Sequence, residues 1–190
     1  IYSPPRNPTL SKKSINLEKH FNASLFHFSH WHGNGENFDM RFIYDGYNGE
    51  TPFDLRGVIQ LNSGLYDDGQ TANDFGWIKG WNKHYPESVK NIKINSKANK
   101  INFLVGGIFA RGMEKGLTAF EITINYEDNT TSVINLKAKE DIFDWWHTDW
   151  VDSVAEENLG FYGPNNLGND RFLTKPIWTN PNPEKVISHI

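Results

Sequence analysis

Hydrophobic and polar residues alternate with a period of two along much of this chain. Between residues 119 and 127 the apolar side chains occupy every second position: Phe120, Ile122, Ile124 and Tyr126. After the polar stretch "EDNT" the same alternation resumes at Ile134 and Leu136. Successive side chains of a strand point to opposite faces of a sheet. The pattern therefore predicts two strands joined as a hairpin, with Asp128 and Asn129 at its tip.

Several other segments share this period and predict further strands. They are "FDLRGVIQL" (53–61), the segments 89–95 and 100–108 joined by a turn at 95–99, and the late segments "RFLTKPIW" and "KVISHI". No amphipathic helix of ten or more residues is evident, although a short helix is expected near 144–157. Many short strands separated by Gly, Asn and Asp turns predict an all-β fold, an antiparallel β-sandwich or jelly roll.

Long loops separate these strands, and the domain organisation follows from their distribution. The loops cover 27–50, 62–87, 106–117 and 145–170, and loops of such length are uncommon unless they are functional. With no internal repeat and no second boundary, residues 15–190 are predicted to form a single β-sandwich domain. The Pro-rich residues 1–14 are predicted to be an extended linker that enters it.

Composition excludes several classes of protein. The 190 residues carry a net charge of −4 and contain no Lys/Arg stripe, so a nucleic-acid partner is not expected. No apolar stretch is long enough to span a membrane, so no membrane partner is expected either. The absence of cysteine excludes disulfides, iron–sulfur clusters and thiol catalysis. Because the first residue is Ile1, we expect a processed or excised piece of a longer chain.

Three regions mix aromatic residues with planar polar residues: 26–38, 67–85 and 144–152. Sugar rings stack their apolar faces on indoles, while their hydroxyl groups need Asp, Asn, Arg or His partners. This chemistry predicts carbohydrate contacts, with indole stacking from Trp31, Trp146 and Trp150. Hydrogen bonds to the ligand are expected from His32, Arg111 and Asp149. Arg111 can also bind the carboxylate of an acidic sugar through two parallel hydrogen bonds.

The tryptophans at 145, 146 and 178 are expected to divide between the core and the surface. Trp178, beside "NPNP", is predicted to be a core residue. Trp145 and Trp146 are adjacent, and at the end of a strand they would point to opposite faces. One of the two is then expected inside and the other outside.

Metal sites are a second possibility. The histidines at 27, 30 and 32, with His147 elsewhere, lack the companion ligands and spacing of a zinc site, so hydrogen-bonding surface histidines are the favoured interpretation. Calcium takes six to eight oxygen ligands. Its candidate ligands lie in two acidic stretches: Asp67, Asp68 and Asp74 in the first, and Asp141, Asp144, Asp149 and Asp152 in the second. The alternative is a pair of solvated acidic loops.

Catalytic motifs are scarce. The sequence has no GxSxG elbow, no phosphate loop and no GxGxxG. A pair of carboxylates for glycoside hydrolysis is neither marked nor excluded. A lyase assembled from Arg111, His147 and Tyr162 is a further alternative. We therefore expect a protein that is not itself an enzyme.

The order of segments resembles a known family. The chain carries "INLEKHFNASL", then "FDLRGVIQLNSG", "YPESVKNIKINSKANKINFLVGG" and "FEITINYEDNTTSVINLKAKEDIFDWW", and it closes on "IWTNPNPEKVISHI". Over residues 15–190 this order resembles galactose-binding-like β-sandwich domains of multimodular bacterial polysaccharide-degrading and cell-surface proteins. Where such a domain would place an aromatic loop residue, between 106 and 117, this sequence has Phe109 and Arg111.

The resemblance implies a carbohydrate-binding module. Its ligand would be a polysaccharide or oligosaccharide, and it would target a catalytic domain linked covalently in the parent chain. It further implies a secreted or cell-surface location in a bacterium, and it makes one structural calcium ion a candidate. Two alternatives stay open: a structural or protein-interaction domain of a larger enzyme, and a small polysaccharide lyase or glycoside hydrolase.

Overall fold

The structure is a computed structural model, and it describes residues 3–26, 40–47, 49–61, 85–108 and 110–190. Contacts group the chain into two units. The first unit comprises Ile1–Tyr47, Pro52–Lys90 and Asn165–Leu167, and the second comprises Asn48–Thr51, Asn91–Pro164 and Gly168–Ile190. The single domain over 15–190 stays a prediction, as does the linker over 1–14.

The second unit is built from β strands in antiparallel sheets. In chain order the described strands are β1 Lys93–Ser96, β2 Lys100–Asn102, β3 Thr118–Tyr126, β4 Thr131–Lys137, β5 Leu159–Pro164, β6 Asp170–Thr174, β7 Ile177–Thr179 and β8 Ile187–His189. Their pairing gives one four-stranded sheet in the order β1-β8-β3-β4 and two two-stranded sheets, β2-β7 and β5-β6. The prediction of an all-β, antiparallel fold is confirmed at this level.

The predicted hairpin at 119–136 is present. Strands β3 and β4 pair antiparallel, with Ile122 opposite Ile134 and Phe120 opposite Leu136. At its tip Asn129 adopts a left-handed conformation, with a φ of 65°. Asparagine tolerates this region better than most residues because its short polar side chain hydrogen-bonds locally. The turn residues "EDNT" therefore fix the register that the alternation predicts.

The strands on either side of the 95–99 turn do not pair with each other. Strand β1 pairs with β8, where Lys93 lies opposite His189. Strand β2 pairs with β7, where Ile101 lies opposite Trp178. The late segments are thus strands, as predicted. Strands β8 and β7 pair with β1 and β2, which a local hairpin would have paired with each other.

The core of the second unit lies on the inner face of the four-stranded sheet. Its buried residues are Ile101, Ile124, Tyr126, Ile134, Leu136, Ile142 and Ile187, and the partly buried Trp178 packs against them. Buried Asn180 completes this core with polar contacts. Its Oδ1 accepts a 2.6 Å hydrogen bond from the Tyr126 hydroxyl, and its Nδ2 donates to the Ala98 carbonyl at 2.8 Å.

The region 145–170, predicted to be a long loop, is more regular than expected. It contains the 3₁₀ helices Thr148–Ser153 and Glu156–Asn158, followed by β5. The short helix expected near 144–157 is therefore present as two 3₁₀ segments.

In the first unit the predicted strand at 53–61 is not formed. The segment makes one isolated bridge, between Ala23 and Val58. Its buried positions are Arg56 and Gln60, whereas Leu61 on the apolar parity is exposed. Both buried residues are hydrogen-bonded. Arg56 Nε donates to Asp54 Oδ1 at 2.7 Å, and the Gln60 backbone N–H donates to Asn22 Oδ1 at 2.7 Å.

The first unit also contains the α helix of the described residues, α1 Arg41–Gly46, and a 3₁₀ turn at Glu18–His20. No helix within the described ranges has the length and apolar character needed to cross a membrane.

Candidate functional site

A turn at residues 144–147 brings two distant segments of the second unit together. The Gly107 N–H donates to the Phe143 carbonyl at 2.8 Å, and the Trp145 N–H donates to the Gly107 carbonyl at 3.1 Å. Gly107 permits this approach, because a Cβ there would lie 2.6 Å from the Ala110 side chain. The 3₁₀ turn Ala110–Gly112, which carries Arg111, is thereby held beside the turn.

Asp144 organises this junction from within. The residue is 5% exposed, and its carboxylate accepts hydrogen bonds from the Trp146 N–H at 3.1 Å and the Arg111 N–H at 3.5 Å. Burial raises the pKa of Asp144, while the Trp146 hydrogen bond and the neighbouring His147 and Arg111 oppose the rise. Asp144 therefore positions both segments through their backbones.

The guanidinium of Arg111 meets two side chains of the adjoining segment. Its Nη1 lies 3.2 Å from Nδ1 of His147, and its Nη2 lies 3.7 Å from Oδ2 of Asp149. A guanidinium only donates, so Nδ1 of His147 is the acceptor and Nε2 carries the proton. We call Arg111, Asp144, His147 and Asp149 the Arg111 cluster.

The ion pair within the Arg111 cluster is open to solvent. The side chains of Arg111 and Asp149 are each 56% exposed. A pair this exposed is weak, because water competes for both charges. Arg111 has five N–H donors in a planar fork and Asp149 has several lone pairs, so both retain capacity for a ligand.

Trp146 is held by a buried arginine. The centre of the Arg171 guanidinium lies 3.5 Å from the Trp146 ring centroid and 5.8 Å from that of Trp145. Arg171 is 4% exposed and donates to the Asp170 carbonyl at 2.6 Å. Burial lowers the pKa of Arg171, and Asp170 opposes this effect. The contact is a cation–π stack that covers one face of Trp146.

The two adjacent tryptophans lie in a turn, not at the end of a strand. Trp145 is 2% exposed, whereas Trp146 is partly buried, and the rings contact each other edge to face at 5.4 Å. Their different burial therefore arises from the turn and from Arg171, and strand alternation has no part in it.

Trp150 lies in the 3₁₀ helix Thr148–Ser153, partly buried. Its ring packs 6.2 Å from Phe143, and Nζ of Lys139 lies 5.1 Å from its centroid. Its indole Nε1 is buried and has no hydrogen-bond partner among the residues the structure describes. Trp150 thus has neighbours on several sides, and its neighbour Asp149 is the more accessible residue.

Four of the six predicted site residues are described, and they come from one region. Arg111 contacts Asp149 directly, Asp144 links Arg111 to Trp146, and Trp150 follows Asp149 in the same 3₁₀ helix. Trp31 and His32 lie outside the described residues, as does Phe109. Of the two positioning residues, sequence reasoning named Asp144 only as a candidate calcium ligand and missed Arg171. An arginine inside the strand "RFLT" was the available signal for the second.

Tyr162, a candidate for the lyase alternative, makes a different contact. Its hydroxyl donates to Oδ2 of Asp170 at 3.2 Å, and this hydrogen bond is the main cause of its raised pKa. The Arg111 cluster therefore supplies an arginine and a histidine, while the tyrosine is engaged by Asp170.

Metal ligands do not converge in the described part of the chain. There, no group of three or more His, Asp or Glu side chains has the geometry to hold a metal ion. Asp141 instead accepts from the Lys137 N–H at 2.8 Å, and Asp144 and Asp149 make the contacts given above. Asp67, Asp68 and Asp74 lie outside the described residues, as do the histidines at 27, 30 and 32, so calcium stays a prediction.

The chain matches no protein-family model, no curated protein and no solved structure.

Proposed function

We propose that this chain is a non-catalytic carbohydrate-binding module with a galactose-binding-like β-sandwich, and that the Arg111 cluster contacts the glycan. One observation carries the proposal. An exposed guanidinium, a carboxylate and an imidazole N–H are held side by side, with an indole anchored through the same buried Asp144. The antiparallel β character of the second unit is compatible with the sandwich.

The chemistry of this cluster suits sugar hydroxyl groups, each of which donates and accepts. Arg111 and the Nε2–H of His147 supply donors, and Asp149 supplies an acceptor. The part of Trp146 that stays accessible offers an apolar surface to ring C–H groups. Trp150, beside Asp149, extends that surface in the proposal.

Acidic sugars have an additional handle in Arg111. A uronate carboxylate can form two parallel hydrogen bonds with the guanidinium fork. The existing pair with Asp149 is long, at 3.7 Å, and exposed. Little free energy is therefore lost when a ligand carboxylate replaces Asp149 as the partner of Arg111. We therefore rank acidic polysaccharides above neutral ones as ligands of the Arg111 cluster.

The remaining parts of the proposal concern context. The module would act in a secreted or cell-surface bacterial protein and keep a covalently linked catalytic domain near its polysaccharide, which raises the effective concentration of substrate. Trp31 and His32 join the ligand-contacting set as proposals, and a structural calcium ion in an acidic loop remains one.

Affinity electrophoresis in gels that contain alginate, polygalacturonate, chondroitin, galactan or xylan tests the proposal, with calorimetry for any hit. We expect retardation by at least one acidic polymer and at least tenfold weaker binding for Arg111→Ala. Lys97→Ala is the matched control, because Lys97 forms a comparably exposed pair with Glu184 at 3.6 Å. No binding across this panel, or equal losses for both variants, contradicts the proposal.

A structural or protein-interaction domain of a larger enzyme is the second candidate. It is favoured by the stack of Arg171 on Trp146 and by the buried Nε1 of Trp150, because both indoles then serve packing. Under this alternative the gels show no retardation, and Arg111→Ala behaves as the unsubstituted protein does.

A further inference from the structure

A second polar and aromatic constellation lies in the second unit, at residues that the proposed function does not use. A partly open pocket of about 160 Å³ lies beside β4, one of the two outer strands of the described four-stranded sheet. Its lining includes Phe103, Leu136, Asp141, Asn158, Pro176 and Trp178. We call it the Trp178 pocket.

The apolar part of the Trp178 pocket is held by strand pairing and by packing against the core. Trp178 is paired in register with Ile101 and packs against the main core. The carbonyl of Pro176, which is buried, accepts from the Phe103 N–H at 3.1 Å. An indole held from both its strand and the core offers a fixed ring surface at no ordering cost to a ligand.

The polar part of the pocket retains hydrogen-bonding capacity. Asp141 accepts from the Lys137 N–H through Oδ2, which leaves lone pairs on its carboxylate. The side-chain amide of Asn158, which is half-buried, has no hydrogen-bond partner within the described residues, and it offers two donors and an acceptor. The Asn135 side chain is exposed and points away from the face of Ile134 and Leu136. Since β4 is an outer strand, backbone groups along its free edge add further donors and acceptors.

We propose that the Trp178 pocket binds one neutral pyranose ring. A cavity of about 150 Å³ accommodates one benzene molecule, and the open side of this pocket leaves room for the substituents of a pyranose, which has about twice as many heavy atoms. The Asn158 amide and the Asp141 carboxylate beside an indole provide donors and acceptors for hydroxyl groups and an apolar surface for the ring C–H face. Asp141 disfavours an acidic sugar by like-charge repulsion, in contrast to the preference of Arg111.

A titration followed through the Trp178 indole tests the proposal. The probes are methyl β-D-glucopyranoside, methyl β-D-galactopyranoside and methyl α-D-mannopyranoside, with D-glucuronate as the acidic comparison. The ¹H–¹⁵N signal of Trp178 is assigned from its loss in Trp178→Phe, which retains a ring in the core. We expect this signal to shift saturably at millimolar concentrations of at least one neutral glycoside, and to shift less with glucuronate.

Substitutions in the lining separate binding from a general solvent effect. Asn158→Ala is expected to weaken binding on the order of tenfold, the loss of one or two hydrogen bonds to the ligand. Asp141→Asn keeps an oxygen for the Lys137 N–H and is expected to reduce the discrimination against glucuronate. Asn125→Ala, in the same hairpin but outside the pocket, is the matched control and is expected to bind normally.

Two results overturn the proposal: no saturable shift with any neutral glycoside, or a shift that is unchanged in Asn158→Ala. The titration of the unsubstituted protein decides the first, so a poorly folded variant does not leave the question open. Arg111→Ala is expected to leave these titrations unchanged. Failure of the Trp178 pocket is therefore distinct from failure of the Arg111 cluster.

Discussion

Arg56 in the first unit and Arg111 in the second both pair with an aspartate, but their surroundings differ. Arg56 is 3% exposed, and its guanidinium meets Asp54 through two hydrogen bonds of 2.7 and 3.0 Å. Asn16 accepts from it at 2.9 Å and the Pro4 carbonyl at 3.3 Å, and a Glu18 oxygen lies 3.3 Å away. Every nitrogen of the Arg56 guanidinium therefore has a partner.

Arg111 shows the opposite arrangement. Its contacts with His147 and Asp149 are single and longer, at 3.2 and 3.7 Å, and its side chain is 56% exposed. Burial and the number of hydrogen bonds thus distinguish the two arginines. A saturated, buried guanidinium has no capacity for a further ligand, whereas a partly engaged, exposed one does. The hydrogen bonds with Asp54 accordingly raise the pKa of Arg56 against the effect of its burial.

The largest effect is expected when Arg56 is removed. Arg56→Met leaves the Asp54 carboxylate, whose side chain is 3% exposed, with Arg6 as its remaining cation among the described residues. Losing one partner of a buried ion pair destabilises a protein by about 3–5 kcal/mol. Denaturant unfolding measures this loss, and exchange of the Val58 amide, which donates to the Ala23 carbonyl, reports it locally. A loss below about 1 kcal/mol, as for a surface pair, would contradict the structural role.

An intermediate effect is expected at Arg171. Arg171→Met retains most of the buried stem but removes the cation from the Trp146 face, and a desolvated cation–π contact contributes about 2 kcal/mol. The free energy of unfolding should fall by roughly that amount, and the near-UV circular dichroism of the Trp145 and Trp146 pair should change. If neither quantity changes, Arg171 does not hold Trp146 in place.

A small effect on stability is expected from the same substitution at Arg111. Arg111→Met removes an exposed pair, and such pairs contribute about 0–1 kcal/mol. Denaturant unfolding should therefore be nearly unchanged, while binding to an acidic polysaccharide falls. Lys97→Met is the matched control for stability. A loss as large as that of Arg56→Met would place Arg111 among the structural arginines.

The smallest effect is expected at an exposed pair in the β3–β4 turn. Asp128 accepts from Lys185 at 2.7 Å and from the Thr130 hydroxyl and N–H, and these bonds lower the pKa of Asp128 from 3.8 to about 2. Because the folded-state pKa is depressed, the stabilising contribution is present above pH 3.8 and is lost as the pH falls towards 2.

Lys185→Gln tests that pair through a carboxyl NMR titration. The pKa of Asp128 should rise from about 2 towards 3.8, and it should stop short of that value because the Thr130 bonds remain. Glu184→Gln, at the adjacent position, is the control and should leave this titration unchanged. A pKa that stays at about 2 in Lys185→Gln would show that Thr130 alone holds the carboxylate.

Local sequence patterns predicted the structural features that depend on neighbouring residues, such as the β3–β4 hairpin. The hairpin was readable because Ile122 and Ile134 alternate in phase on either side of a turn sequence. The segment 53–61 was not, because its ion-paired Arg56 is buried and its Leu61 is exposed. Hydrophobic periodicity treats every arginine as a surface residue, so a buried, saturated one reverses the assignment of faces.

Long-range pairing was beyond the reach of the sequence. The 95–99 turn predicted neighbours, but β1 and β2 each take a late strand, and alternation carries no information on which strands meet. The residues of the candidate site could likewise be predicted only in part. Arg111, Trp146 and Asp149 could be chosen by residue type, whereas Asp144 and Arg171 act through burial and stacking that only the folded chain reveals.

The position of β8 has a consequence for how the protein acquires its fold during synthesis. This strand follows β1 to β7 in the sequence, yet it lies between β1 and β3, where Lys93 pairs with His189. The four-stranded sheet therefore cannot form completely until residues 187–189 have left the ribosome. Until then, the β3 edge of the β3–β4 hairpin has no β8 to pair with. Such non-local closure slows folding. A ribosome-bound chain that lacks these residues exposes the β3 edge to pairing with other chains.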